Sequence, residues 1–245
     1  MILAYILIFT TIGSIASLGG SFLLLTKKSL TENFSNNLLN FAAGVLLSVA
    51  FLDLFPESLE LAGEANIFLT ALFGFLVFFF SERFINLVHR HHQHGRNPST
   101  ILILVGDGIH NFIDGIAITA AFLTNVPLGI TTSLAVAAHE IPQEIADMGV
   151  LLANGLSKSK ALLFNFLSAL TAILGALLAY FFADFIKANL YLFLSLTAGF
   201  FIYISASDLI PQLHEKFRED RKFFQALFFV VGIVSVFIFT KFFEG

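Results

Sequence analysis

Asp107, His110, Asn111 and Asp114 are spaced i, i+3, i+4 and i+7, so on a helix all four project from one stripe. Further along, residues 139 to 144 read His-Glu-Ile-Pro-Gln-Glu, where His139 and Gln143 form an i, i+4 pair while Glu140, Glu144 and Asp147 form an adjoining stripe. Both runs sit in the middle of apolar stretches long enough to cross a bilayer. An ionisable side chain at that depth costs ~2.5–3.5 kcal/mol even on a lenient insertion scale, so it marks an ion path, a proton relay or a bound ligand. If the two stripes face each other they enclose a cavity lined with imidazole nitrogens and carboxylate or amide oxygens. That donor mixture suits Zn²⁺, Fe²⁺ or Mn²⁺, whereas Ca²⁺ or Mg²⁺ prefers oxygen alone. With no cysteine in the chain, thiolate sites and disulfides are excluded.

Each residue also has a plainer role. A lone intramembrane His is an ordinary hydrogen-bond partner between helices, but packing contacts rarely need so many ionisable groups at one depth. Asp53 and Asp208, each shortly before a Pro, are candidate path residues and equally candidate caps. His89, His91, His92 and His94 form a His-rich tract of the kind that binds divalent metal weakly, or simply a solvated loop at about 89–99.

The elements that must position these residues are helices in lipid. Apolar residues make up 57% of the chain, charged residues 12%, and mean hydropathy is +0.88. Eight apolar segments of roughly the ~20 residues that span ~30 Å of hydrocarbon run approximately 2–25, 38–56, 66–88, 100–123, 128–154, 160–184, 189–212 and 223–242. The first lacks a basic n-region, since Lys27 and Lys28 follow it, so it is read as a span and not a signal peptide. The expectation is an all-α integral membrane protein, one domain over residues 1–245, with no attached ATPase. Pro142 frees the Ala138 carbonyl toward the cavity, and Gly106, Gly108 and Gly115 allow close approach of neighbours to the fourth span.

Of thirteen Lys and Arg residues, eleven fall at connections on one side, leaving Lys187 and Lys241 on the other. The positive-inside rule then places both termini outside the cytoplasm and turns Glu57, Glu60 and Glu64 outward, as an acidic entrance or equally a solvated acidic turn. An offset of 155 residues relates Ala43-Gly44 to Ala198-Gly199, Asp53-Leu54 to Asp208-Leu209, Pro56 to Pro211 and Glu60 to Glu215. Those segments run in opposite directions, which is the mark of an inverted-repeat carrier.

HNFIDG at 110–115 and HEIPQEIADMGVLL at 139–152 resemble the signature helices of the ZIP family of divalent-metal transporters, in particular the subfamily with a His-rich cytoplasmic loop. The resemblance extends over the whole chain, including DLFPE and DLIPQ. It implies eight spans and import of Zn²⁺, often Fe²⁺ or Mn²⁺, as substrate with no cofactor. His110, Asn111 and Asp114 match the ligand positions of the fourth span, and His139, Glu140 and Gln143 those of the fifth. It further implies an elevator-like movement of spans one, four, five and six against two, three, seven and eight.

Two departures shape the expected site. Gln143 stands where that subfamily has a second His, and the sixth span has no acid between Ala161 and Ala183. The expected arrangement is therefore one metal at His110, Asp114, His139 and Gln143, with Asn111 and Glu140 as a transient neighbouring site. The rivals are an intramembrane zinc metalloprotease, a metal sensor and a proton-linked carrier of another solute. His139-Glu140 opens like a zincin motif, but Gln143 occupies the place of its second His. Expected partners are divalent metal ions and the lipid bilayer, with no nucleic acid and with a homodimer left open. Short loops and the absence of a targeting segment point to a prokaryotic plasma membrane.

Overall fold

The computed structural model describes residues 1–15, 17–19, 22, 28–91, 99–153, 155–211, 214 and 223–244. Among these, every regular element is helical. A chain this apolar has no alternative in lipid, because only a helix or a closed barrel satisfies every backbone N–H and C=O internally. Hydroxyls inside the helices follow the same rule: Ser14, Ser133 and Thr197 each donate to the carbonyl four residues back, at 2.8, 2.7 and 2.8 Å.

Helix α1 is Ile2–Ile15; α2 is Lys28–Ser48, which continues through a π turn at Val49–Leu54 into α3, Phe55–Ala62. Helices α4 (Ile67–His91), α5 (Ser99–Thr124), α6 (Val126–Ala153) and α7 (Lys158–Phe181) follow. A short α8 (Ala183–Ala188) leads to α9 (Leu190–Tyr203), a second π turn at Ile204–Leu209, and α10 (Phe223–Glu244). Each of the eight apolar segments thus carries helix, although the first is described as continuous helix only to Ile15. Among the described residues, three stretches are by themselves long and apolar enough to cross a membrane: Asn37–Ala62, Lys158–Phe181 and Leu190–Ser207. Helices α5 and α6, at 26 and 28 residues, have the length, but their buried acids dilute the apolar character.

The long helices form two groups that meet along α6. α5 packs on α7 and α6, with α1 against all three; α2 packs on α10 and α4 on α9; and α6 packs on α2 nearly as extensively as on α5. Within the first group, a Cβ at Gly115 would collide with the Ala172 carbonyl oxygen and one at Gly175 with that of Phe112, so α5 and α7 cross backbone to backbone. In the second group, Gly44 lies against the Phe229 carbonyl and Gly199 against that of Ala71. Those two glycines are related by the 155-residue offset, and so are the two π turns, 49–54 and 204–209. Each π turn precedes a proline, Pro56 or Pro211, whose missing N–H and bulky ring the wider turn accommodates. Exposed Phe68, Leu72, Phe73, Leu167, Val234 and Phe237 form part of the outward surface, while Asp53, Asp107, Asp114, His139, Glu140 and Glu144 are buried in an otherwise mainly apolar interior.

Two corners fix the central pair. Only Asn125 separates α5 from α6; its Oδ1 accepts the Leu128 N–H at 2.8 Å and caps α6, with Pro127 in the first turn. So tight a corner makes α5 and α6 antiparallel neighbours. At the other end of α6, Gly155 adopts φ 84°, its N–H bonding Leu152 O at 3.0 Å while Leu156 N–H reaches Leu151 O at 3.1 Å, a Schellman closure. Ser157 then caps α7 through the Lys160 N–H.

Of the residues singled out in the sequence, the orienting Lys27, Arg96, Lys216, Arg218, Arg221 and Lys222, His92 and His94 of the His-rich tract, and Glu215 of the repeat lie outside the described residues. The packing around Gly106 does too. Gly108, expected to permit close approach, meets only Ser168 Oγ and Thr171 Cγ2, each at 3.6 Å from a built Cβ, which is ordinary contact. Gly115→Ala should therefore destabilise by about 1–3 kcal/mol, read as a lower unfolding midpoint in detergent, while Gly108→Ala should leave the midpoint unchanged. Equal midpoints for the two variants would contradict the described α5–α7 crossing.

Candidate metal centre

Four side chains converge where α5 meets α6. His110, Asp114, His139 and Glu140 each offer one ligand atom, and those atoms lie within 4.8 Å of one another. The His110 and His139 Nε2 atoms are 3.1 Å apart. Glu140 Oε1 is 3.4 Å from His110 Nε2 and 3.6 Å from His139 Nε2. Asp114 Oδ2 is 3.7 and 3.4 Å from the same two nitrogens. A tetrahedral zinc site with bonds of ~2.0–2.2 Å has ligand-to-ligand edges of about 3.3–3.6 Å. The five separations that involve a histidine nitrogen, 3.1–3.7 Å, bracket that range, so the donor set and its convergence suit one divalent ion.

The histidine tautomer agrees with ligation. His139 Nδ1 lies 3.0 Å from the Ala135 carbonyl, which can only accept, so Nδ1 carries a proton and Nε2, which faces the cluster, is the nitrogen left to ligate an ion. Phe78 of α4 packs edge-on against the His110 ring at 5.3 Å, and Phe201 of α9 lies 6.4 Å from that of His139. Asp114, His139 and Glu140 are buried, whereas the His110 side chain retains 12% exposure. Neither Glu140 oxygen receives a hydrogen bond, and a buried acceptor without a donor costs ~1–3 kcal/mol unless something positive meets it.

The remaining two expected ligands gather elsewhere. Asn111 Nδ2 and Gln143 Nε2 both donate to Asp107 Oδ1, at 3.1 and 3.3 Å. The grouping thus differs from the expected one: Glu140 stands with His110, Asp114 and His139, and Gln143 stands with Asn111 on Asp107. The reason is angular. His139 and Glu140 are consecutive, about 100° apart around α6, and the cluster occupies the wedge between their directions. Periodicity assigns them to separate stripes and cannot reveal a shared target. Asp107, excluded from the expected ligands, was already on the α5 stripe, and its i, i+4 relation to Asn111 is the signal for its role.

Other expectations resolve locally. Glu144 is buried and its backbone carbonyl accepts Asn165 Nδ2 at 3.3 Å; Asp147 is half-buried. The sixth span contributes no acid, but Thr171 Oγ1 donates to the Gly108 carbonyl at 2.6 Å and ties α7 to α5. Asp53 accepts from Thr240 Oγ1 at 2.6 Å, which fastens the first π turn to α10 and gives Asp53 a structural role. The side chain of Asp208 lies outside the described residues. At the α3 end of the molecule, Asn125 Nδ2 reaches Glu57 Oε1 at 3.4 Å, while Glu60 and Glu64 are exposed.

The profile of the ZIP zinc transporter family matches residues 1–100 and 89–240. The chain belongs to the ZIP family. It is similar to zinc transporter ZIP10 of Danio rerio, 39% identical over 121 residues, covering 49% of this chain and 14% of the relative. Metal cation symporter ZIP14 of Mus musculus is 42% identical over 121 residues, 49% of this chain and 24% of that protein. Zinc transporter ZIP6 of Homo sapiens is 41% identical over 113 residues, 46% of this chain and 15% of that protein. The chain thus spans at most a quarter of the length of these relatives. Membership in a transporter family sets aside the protease reading, in keeping with Gln143 in place of a second zincin histidine.

Because a metal ligand must be deprotonated, protons compete with the ion at both imidazoles and both carboxylates. Purified protein loaded with Zn²⁺ should hold it less tightly as the buffer is acidified, measured by equilibrium dialysis against a graded pH series. Retention independent of pH would rule out this donor set.

Proposed function

We propose that this ZIP-family chain imports divalent transition-metal ions across a cell membrane into the cytoplasm, Zn²⁺ foremost, with Fe²⁺ and Mn²⁺ as further substrates. The observation that carries this reading is the four-residue cluster, in which two imidazole nitrogens and two carboxylates converge within 4.8 Å of one another inside an apolar bundle. The metal is cargo and no cofactor is required. The names of ZIP10 and ZIP6, zinc transporters, and of ZIP14, a metal cation symporter, agree with a cargo of this class.

In this reading all eight helical segments span the bilayer, both termini lie outside, and the two halves form an inverted repeat. The 155-residue register of the π turns and of Gly44 with Gly199 supports that repeat. The division into moving parts follows the family resemblance: α1, α5, α6 and α7 carry the ion, and α2, α4, α9 and α10 form the frame, which they meet chiefly where α6 packs on α2. Phe78 and Phe201 belong to the frame and touch the imidazoles, so they cover the loaded ion on one side while the carrying helices slide past. An ion enters past Glu57, Glu60 and Glu64, exchanges water for the four ligands, and departs toward Glu144 and Asp147.

Reconstituted protein should accumulate radioactive Zn²⁺ inside liposomes. His110→Ala and His139→Ala should each lower the initial rate by at least an order of magnitude, and acidifying the outer buffer should lower the wild-type rate. Wild-type rates in both alanine variants would remove the cluster from the transport path.

A further inference from the structure

Asp107 is buried at 6% exposure and belongs to no metal-ligand group in the reading above. Its Oδ1 accepts the amide N–H of Asn111 within α5 and that of Gln143 across the boundary to α6. Asn111 Nδ2 also donates to the Asp107 backbone carbonyl at 3.2 Å, so residue 107 holds Asn111 twice and Gln143 once. A carboxylate has only acceptor sites, and a side-chain amide has donors on one side and a carbonyl oxygen on the other. An amide whose nitrogen is tied to Asp107 must therefore turn its oxygen away from Asp107. The consequence is visible at Asn111, whose Oδ1 is buried, with the residue 1% exposed, and receives no hydrogen bond. A buried acceptor that no donor satisfies is suited to a cation.

We propose that Asp107 is a positioning residue that sets metal preference: by fixing the amides of Gln143 and Asn111 nitrogen-inward, it presents two neutral carbonyl oxygens to the ion beside the histidine cluster. This rests on the transport reading for its meaning, but it makes a statement about binding that stands apart from uptake. Without Asp107, the Gln143 amide is free to rotate and offer its NH₂, which repels a cation. Carbonyl oxygens matter more to Mn²⁺ than to Zn²⁺, because Zn²⁺ keeps two imidazoles that it favours.

The test compares affinities of purified protein for Mn²⁺ and Zn²⁺ by equilibrium dialysis, with liposome uptake in parallel. Asp107→Leu, which removes the acceptor, should weaken Mn²⁺ binding on the order of tenfold and Zn²⁺ less, so that the Mn²⁺ to Zn²⁺ ratio shifts. Asp107→Asn keeps one carbonyl oxygen able to accept from Gln143 and should restore most of the ratio. In a Gln143→Ala background, Asp107→Leu should move the ratio much less. Equal weakening of both ions, or Asp107→Asn as damaging as Asp107→Leu, would overturn the proposal, the latter by marking Asp107 as a charged ligand. If Asp107→Leu does not yield folded protein, Asp107→Ala provides the same comparison. Wild-type protein that binds both ions but accumulates neither would overturn the transport reading while leaving the role of Asp107 to be decided by the dialysis ratio.

Discussion

The fold is organised around a group of acceptors that repel one another unless something positive lies between them. Two unit charges ~4 Å apart interact by about 4 kcal/mol at an effective dielectric of 20, and Asp114 and Glu140 converge on the same pair of imidazole nitrogens. With its proton on Nδ1, His139 adds a lone pair facing the same point. Protons or a metal ion can each reverse the sign of this interaction, and their competition is useful. Under the proposed transport reading the protein must release what it binds, and a site that protons can stabilise once the ion leaves does not have to collapse first.

Holding such a group together inside lipid requires a frame that does not yield. The one-residue corner at Asn125 makes α5 and α6 neighbours, and the glycine crossing between α5 and α7 brings the sixth span to within backbone contact. Thr171 and Asn165 then spend their polar atoms on backbone carbonyls of α5 and α6. On the other side, paired π turns precede Pro56 and Pro211 at the same register, and Asp53 secures the first of them to α10. The clustered acids Asp107, Asp114, Glu140 and Glu144 all sit on α5 and α6.

Much of this was legible in the sequence because lipid simplifies the grammar. Apolar length reveals helices, and an ionisable residue within such a length has few reasons to be there, so α5 and α6 and their stripes could be read directly. The 155-residue register was visible in Asp53, Pro56, Asp208 and Pro211, but not that it marks π turns, since proline in a helix has several accommodations and composition does not choose among them. Two things were hidden for a geometric reason. Helical periodicity ranks residues by face, whereas the cluster lies between the faces of His139 and Glu140. Likewise, the attachment of Gln143 to Asp107 is a contact between helices, and no spacing within α6 encodes it.

The exchange of Glu140 for Gln143 in the cluster has an electrostatic logic. Metal ligands are deprotonated when the ion is bound, so two carboxylates and two neutral imidazoles give a loaded site of zero net charge with a divalent ion. With Gln143 in place of Glu140, the same site would carry a net charge of +1. Burying a net charge in a low-dielectric interior costs several kcal/mol, and Phe78 and Phe201 press apolar rings against the imidazoles of this cluster. In the proposed transport reading, a neutral loaded cluster passes such surroundings without that cost, and Gln143, held on Asp107, leaves the charge balance of the cluster unaltered.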